Sequence, residues 1–390
     1  MRFKSKQFRR RHLLWIISWF LVLSVFIGLR STVAAAESQD VAKSNEKIKV
    51  IFDTDNGEFG DDTKALLMLL NSDRFDLLGI TTMTGNYWLE VCTAYTLRQL
   101  ELWQRTDIPV YMGMGEPLLG DMSQYMDAGL LLGIQGGNIG YLKSERPSSY
   151  MDLEEEPVYG YPESKAPEEM HAVDFMAEAV RKNRGEVTIV CVGAPTNVAM
   201  FAKRYPELVS EVKRVVYMGG AIDERGNTTA AAEFNWWADP LAAKICMTTA
   251  FPEQVLVPKD ICMKARITYD TYEKIRDAEP STGRNMFMEY NGPRHEADRE
   301  YKNTLFDEVT ILYLLDESFV TKAEDRIIDV DMNLGANFGR SIGYRTEPRH
   351  PELFHTLPNC QTVNVLLDMD VDRFMDLYVH YLTLPMPKKS

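Results

Sequence analysis

The chain is poor in cysteine, poor in histidine and short of positive charge. Its 390 residues include 5 Cys, 6 His and 43 Lys+Arg against 57 Asp+Glu. The cysteines, at 92, 191, 246, 262 and 360, never stand in Cys-x-x-Cys spacing, which argues against a zinc site. In an exported protein some of them could pair, and the odd count leaves at least one thiol single. Cys191, inside Val190-Cys191-Val192, reads as a small buried hydrophobe. A formal charge of −14 argues against nucleic acid as a partner, because a phosphate backbone requires a basic surface. Internal repeats and low-complexity tracts are absent.

Only one apolar run is long, from Leu13 to Leu29. Arg2, Lys4, Lys6 and Arg9-Arg10-Arg11 precede it, and Ala34-Ala35-Ala36 follows. Basic, apolar and then small residues are the layout of a secretory signal peptide, so residues 1–36 are expected to be removed near Ala36 and the protein exported, periplasmic or extracellular. Left uncleaved, the run is long enough to anchor the chain in a membrane. Without residues 1–36 the chain keeps 36 Lys+Arg against 57 Asp+Glu, a net charge of −21. No basic patch remains that reads as a membrane-binding surface. Residues 37–47 form a polar linker, and 48–390 supply enough apolar side chains for a large core.

What the sequence does contain is carboxylates, concentrated in IKVIFDTDNGEFGDDTKALLMLL, from Ile48 to Leu70. A β-rich run (Val50, Ile51, Phe52) ends in Asp53-Thr54-Asp55. A glycine-containing turn leads to Asp61-Asp62, and an apolar helical pattern follows. Strand–turn–helix is the unit that places side chains at the carboxyl edge of a parallel sheet, where α/β proteins bind ligands. Four acids this close repel one another unless a cation neutralises them or solvent screens them, and oxygen-only ligands suit Ca²⁺ or Mg²⁺. The plain structural reading is that Asp, Asn and Gly are ordinary cap and turn residues. It accounts for any one of these aspartates more easily than for the cluster.

Further along, strands are expected at FDLLGITTMTGN, ending at Thr84-Gly85-Asn86, at Ile108–Tyr111, at Val187–Val192, at Val215–Met218 and at Val255–Val257, the last of the core. Helical patterns separate most of them, so the expected fold is α/β: an open, mostly parallel sheet with helices on both faces. Residues 119–168, rich in Gly, Pro, Tyr and acids, read as a loop excursion over a site. Residues 268–303 look helical and loop-like, and His295 reads as a solvated loop histidine. Short β-like runs return at Ile342–Tyr344 and Val363–Leu367.

The motifs FDTDNGEFGDD, GITTMTGN, GAPTN, VYMGG, GN-x5-EFN and LFDEVTILYLLD stand in the order and approximate spacing of the inosine–uridine-preferring nucleoside hydrolases. The chain resembles that family over about residues 48–320. The resemblance implies a Rossmann-like sheet with Ca²⁺ at the strand ends and hydrolysis of the N-glycosidic bond of a small-molecule nucleoside or riboside. It implies that Asp53 is both a calcium ligand and the base that activates water. Asp62, the Val192 carbonyl and Asp307 would complete the metal sphere, and Asp61 would bind a ribose hydroxyl. Asn86, Asn227, Glu233 and Asn235 would grip the ribose, with Met218 beside it. Homo-oligomers occur among such relatives, which makes one plausible here.

Two positions depart from the pattern. Many relatives place a histidine, assigned to protonating the base, just before the last aspartate; here Phe306 stands on that leaving-group side. In the flap segment, Gln135 replaces another. The departure leaves open a calcium-dependent sugar- or nucleoside-binding protein without catalysis. A further alternative is an Asp-x-Asp phosphatase with Thr82 or Thr84 contacting phosphate. Several residues also have local explanations: Asn197 as a structural cap, Gly226-Asn227 as a turn, Asp307 as the cap of the helix beginning at Glu308.

Overall fold

The computed structural model of the protein describes residues 47–120, 144–346 and 361–387. The expected signal segment 1–36, the expected linker up to residue 46, Gln135 and Cys360 lie outside the described residues. From Ile48 onward the chain forms one contact unit. No described helix is long and apolar enough to cross a membrane.

Nine strands make the main sheet: β1 Ile48–Thr54, β2 Phe75–Thr82, β3 Val110–Met112, β4 Val187–Cys191, β5 Arg214–Met218, β6 Gln254–Val257, β9 Val320–Val330, β10 Ser341–Arg345 and β11 Thr362–Met369. Two short strands, β7 Arg266–Ile267 and β8 Asn303–Thr304, pair with each other apart from it. The order across the sheet is β10-β9-β11-β6-β5-β4-β1-β2-β3. Strands from β3 to β11 pair in parallel, and β9 runs antiparallel to both β11 and β10. The expected open, mostly parallel sheet is observed.

Helices cover both faces. Numbered among the described residues, they are α1 Asp61–Asn71, α2 Leu89–Leu102, α3 Ala172–Lys182, α4 Thr196–Arg204, α5 Phe234–Ala238 and α6 Pro240–Thr248. The chain continues through α7 Lys259–Cys262, α8 Tyr269–Arg276, α9 Thr282–Tyr290, α10 Gly292–Ala297, α11 Glu308–Leu315 and α12 Val371–Thr383. Strand β1 shows why the sheet is central. Val50 and Phe52 enter the core shared with α1, α11 and α12, while Ile51 enters the one shared with α3, α4 and α6. Successive strand side chains point to opposite faces, so a strand covered on both sides must be apolar throughout rather than alternating. Each fully buried side chain of this size contributes roughly 1.5–3 kcal/mol.

Three expectations need correction. The core does not end at Val255–Val257, because β11 continues the sheet parallel to β6. Strand β9 went unforeseen because VTKAEDRIIDV carries charges on successive residues and no clean alternation. His295 is not solvated: it is buried in α10, its ring 5.3 Å from that of Tyr272 and 4.9 Å from that of Tyr301. The cysteines of the described residues, 92, 191, 246 and 262, are buried and unbridged.

The strand order reverses direction at β1, whose neighbours are β2 on one side and β4 on the other. Chain connections there diverge to opposite sides and leave a crevice at the carboxyl ends. Asp53–Asp55, Thr82–Asn86 and Val192–Gly193 all lie at that edge.

Candidate active site

The site is assembled from two helix starts and three strand ends. Asp61 and Asp62 occupy the first turn of α1, and Asp307 is the residue before α11. Ligand oxygens of these three carboxylates lie within 4.8 Å of one another. The partial positive charge of a helix N-terminus favours acids in such places, and here two helix starts converge. Asp307 holds the cap position yet its side chain accepts no capping hydrogen bond, so the capping explanation fails.

Asp55 is the fourth member. Its Oδ2 accepts the Asn86 N–H at 2.6 Å, while its buried Oδ1 has no partner. Glycines leave room for it: a Cβ on Gly85 would lie 2.0 Å from Asp55 Oδ2, and one on Gly193 would lie 2.8 Å from Oδ1. Burial pushes the Asp55 carboxyl up to about 7 against the Asn86 hydrogen bond, with Asp61 adding to the rise. Burial first, then Asp55 and Asp61, hold Asp62 well above the carboxylate range. Burial, Asp61 and Asp62 do the same to Asp307. A buried pair stands behind them, Lys64 Nζ to Glu308 Oε1 at 3.0 Å. Burial opposes the ammonium, but Glu308, Asp61 and Asp307 hold it above its ordinary value. One lysine against five carboxylates leaves the group strongly negative, an arrangement that accepts a hard cation.

Asp53 does not join this group. Its Oδ1 accepts Thr81 Oγ1–H at 2.6 Å and Asn197 Nδ2–H at 2.8 Å, and its carboxyl lies beside the Cys191 thiol. Burial raises it to about 7 against those hydrogen bonds, and no other carboxylate contributes. The reason is where the strand ends: Asp53 shares a face with Ile51, toward α3 and α4, whereas Asp55 lies past the last strand residue, Thr54, and is free of the strand's alternation. Asn197 is structural, since Nδ2 also reaches the Thr82 carbonyl at 3.1 Å and Oδ1 accepts the Met114 N–H at 2.8 Å.

The remaining expected residues divide by task. Asn86 Nδ2 donates to Asp62 Oδ2 at 3.2 Å, and Thr54 Oγ1 donates to Asp62 Oδ1. Asn235 Nδ2 donates to the Val192 carbonyl at 2.7 Å and to Met218 at its carbonyl, 3.1 Å, tying the ends of β4 and β5 together. Glu233 caps α5, accepting N–H groups of Gly220 at 2.7 Å and Asn235 at 2.9 Å. Asn227 Oδ1 accepts the Phe234 N–H at 2.9 Å and holds the preceding turn. Phe306 is half-buried against the core and offers no titratable atom. The threonines are also committed: Thr82 pairs with Thr93 Oγ1 at 2.9 Å and Thr84 donates to the Gly115 carbonyl at 2.9 Å, which disfavours the phosphatase arrangement.

Sequence reasoning missed Asn56, Thr63 and Gln99. Asn56 Nδ2 donates to Gln99 Oε1 at 2.7 Å, Thr63 Oγ1 donates to Asn56 Oδ1 at 2.8 Å, and Gln99 Nε2 donates to the Gly57 carbonyl at 2.8 Å. This buried network fixes the turn that delivers Asp61 and Asp62. Nothing in the spacing of Gln99, on α2, points to it.

A cavity of about 670 Å³ opens on Asp61, Asp62 and Asn86. Tyr87, Tyr95 and Phe59 line it, as do Ser144, Glu145 and the 153–158 stretch of the expected loop excursion. An acid cluster at the switch point of an open α/β sheet, facing a ligand-sized cavity, defines a hydrolytic site for a small polar molecule.

Comparison with known proteins makes this specific. Residues 50–376 match the family model described as inosine-uridine preferring nucleoside hydrolase. The chain is 30% identical over 347 residues to the pyrimidine-specific ribonucleoside hydrolase RihA of Escherichia coli, covering 86% of this chain and 98% of that one. An uncharacterized protein of Schizosaccharomyces pombe is 36% identical over 215 residues, 55% of this chain and 62% of that protein. A plant nucleoside hydrolase structure superposes with a TM-score of 0.67 at 26% identity, over 86% of this chain and 99% of that one. The chain belongs to the inosine-uridine preferring nucleoside hydrolase family and is a hydrolase acting on N-glycosyl compounds.

Proposed function

We propose that the chain hydrolyses the N-glycosidic bond of a ribonucleoside or related riboside in a calcium-dependent reaction in which Asp55, not Asp53, takes the proton of the attacking water. The observation that supports the assignment is the place of Asp55 beside Asp61 and Asp62, its buried, unpartnered Oδ1 cradled by Gly193; Asp53 also keeps a buried, unpartnered Oδ2, but no carboxylate acts on it. The donors fit a calcium ion: Asp55, Asp62, Asp307 and the Val192 carbonyl are all oxygen, and their negative charge is only partly offset by Lys64. When bound, the ion supplies positive charge that lowers the pKa of a neighbouring water and keeps these acids ionised.

The chain's own groups supply the rest. Asp55 accepts the water's proton as the oxygen attacks C1′ of the sugar. Asp61 and Asn86, which line the cavity, would accept from and donate to ribose hydroxyls respectively. Asn235 holds the ends of β4 and β5 together through the Val192 and Met218 carbonyls. The carboxylates stabilise the oxocarbenium character that develops on the sugar as the bond to nitrogen lengthens. Export by removal of residues 1–36 is proposed from the sequence pattern alone, and N-terminal sequencing of the mature protein checks it.

The deciding experiment is ribose release from a panel of nucleosides with Ca²⁺, with chelator, and with Ca²⁺ restored. Release that stops with chelator and returns with Ca²⁺ is expected. Tight riboside binding without any turnover would replace the enzyme by the non-catalytic binding protein.

A further inference from the structure

The part of the cavity beyond Asp61 and Asp62 is acidic and aromatic. Glu58, Glu145, Glu154, Glu155 and Glu156 line it, and no lysine, arginine or histidine does so among the described residues. Arg146, next to Glu145 in sequence, is turned away to Glu90 at 2.9 Å and Glu116 at 3.4 Å. Glu58 is exposed and lines the cavity with Tyr87 and Tyr95; burial first, with Glu58 adding, raises Tyr87, Tyr95, Tyr159 and Tyr290. The Tyr87 and Tyr95 rings are 6.0 Å apart and tilted by 38°. Tyr87 is fixed in place by Gly57, where a Cβ would lie 2.2 Å from its ring.

Carboxylates and tyrosine rings together attract a flat cation, through charge and through the negative faces of the rings. Calcium would offset Asp61 and Asp62 but not the glutamates of the rim. Among the described residues the same surface offers no ready acid to a leaving group that must be protonated: no histidine lines it, and burial raises the tyrosines that do, Tyr87 and Tyr95.

We propose that this acidic, tyrosine-lined half of the cavity is a leaving-group subsite selecting cationic N-ribosides, in which the glycosidic nitrogen belongs to a pyridinium-type ring. The idea rests on the hydrolase reading above and specifies its substrate class. Such a substrate removes the need for an acid. The C1′–N bond breaks, its electron pair passes to the ring nitrogen and cancels the positive charge, and a neutral heterocycle leaves. Water oxygen bonds to C1′, and its proton goes to Asp55 and then to solvent. A neutral nucleoside would instead depart as an anion into a pocket of carboxylates.

The test compares ribose release by the full chain with Ca²⁺ from nicotinamide riboside, from its neutral 1,4-dihydro form, and from uridine and inosine. Expected is a kcat/KM at least about 100-fold higher for the pyridinium riboside than for the neutral compounds. Because Glu58 is exposed, Glu58→Gln leaves the fold intact; its KM for the pyridinium riboside should rise about five- to tenfold, with a smaller change for uridine. If uridine or inosine is cleaved as well as the cation, the subsite proposal falls while the hydrolase reading stands. If Glu58→Gln leaves the KM for the cation unchanged, the subsite proposal also falls. If no riboside is cleaved with Ca²⁺ present, the hydrolase reading fails and takes the subsite with it.

Discussion

Asp53 and Asp55 are two residues apart, buried and similarly raised, yet the structure gives them different surroundings. Asp55→Asn is isosteric. Its side-chain oxygen still accepts the Asn86 N–H, and its new amide can donate to Asp62, so the fold is retained. What it loses is the acceptor for the water's proton and one charge of the cation site. Loss of a general base costs about 10²- to 10⁴-fold in kcat, roughly 3–5 kcal/mol at 1.36 kcal/mol per decade. Asp53→Asn keeps an oxygen for Thr81 and Asn197, bonded at 2.6 and 2.8 Å in the wild type. Two charge-assisted hydrogen bonds become neutral ones, about 1 kcal/mol each, while the cost of burying a charge is lifted. A stability change within about 2 kcal/mol and a kcat within about tenfold of wild type follow. Steady-state ribose release and calorimetric melting on the two variants with saturating Ca²⁺ decide the matter. A folded Asp53→Asn that binds calcium and is as inactive as Asp55→Asn would refute the assignment.

The pH dependence has a definite sign. Asp55 is raised from 3.8 to about 7. Its contribution to the stability of the calcium-free protein is therefore fully present below about pH 4 and lost as pH rises through 7, by up to about 4 kcal/mol. Calcium takes the deprotonated form, so the increase in Tm on adding Ca²⁺ should widen between pH 5 and pH 8; an increase that shrinks with pH contradicts it. Asp307→Asn removes a charge within 4.8 Å of two others. Where both groups are ionised each such contact costs about 3.5 kcal/mol at an effective dielectric of about 20, so the calcium-free variant should melt higher than wild type at pH 8 and respond little to Ca²⁺. Lower melting together with a full calcium response counts against the cluster. Lys64→Met strands Glu308 in the core, and a loss of about 3–5 kcal/mol is expected by denaturant unfolding, with partial recovery in Lys64→Met/Glu308→Gln.

The signals that could be read were those carried by contiguous segments. The acidic strand–turn–helix, the Gly-terminated strands and the apolar run after Asp307 each encode their local structure in neighbouring residues, as periodicity and capping require. Val50-Ile51-Phe52 reads as a doubly covered strand because all three are apolar. Strand β9 stayed hidden because a strand near a sheet edge, with one side solvated, tolerates charged residues whose pairing with β11 and β10 is nonlocal. His295 looked solvated because its polar sequence neighbours point outward from α10, while the ring fits between Tyr272 and Tyr301 from other turns of chain.

The amino-acid sequence by itself determined the α/β class, the family motifs and the need for a cation, since a carboxylate cluster after a buried strand carries its charge in any fold. Only the tertiary structure decided which carboxylates come together. Whether Asp53 or Asp55 enters the cluster depends on β1 ending between them, at Thr54, and on what surrounds each side chain. Thr81 and Asn197 claim Asp53 from β2 and α4, while Gly85 and Gly193 open a space for Asp55. The meeting of Asp61 and Asp62 with Asp307, 245 residues further along the chain for Asp62, is likewise set by α1 packing on α11. Hydrogen bonding and packing between distant segments fix that geometry, and spacing along the chain carries no trace of it.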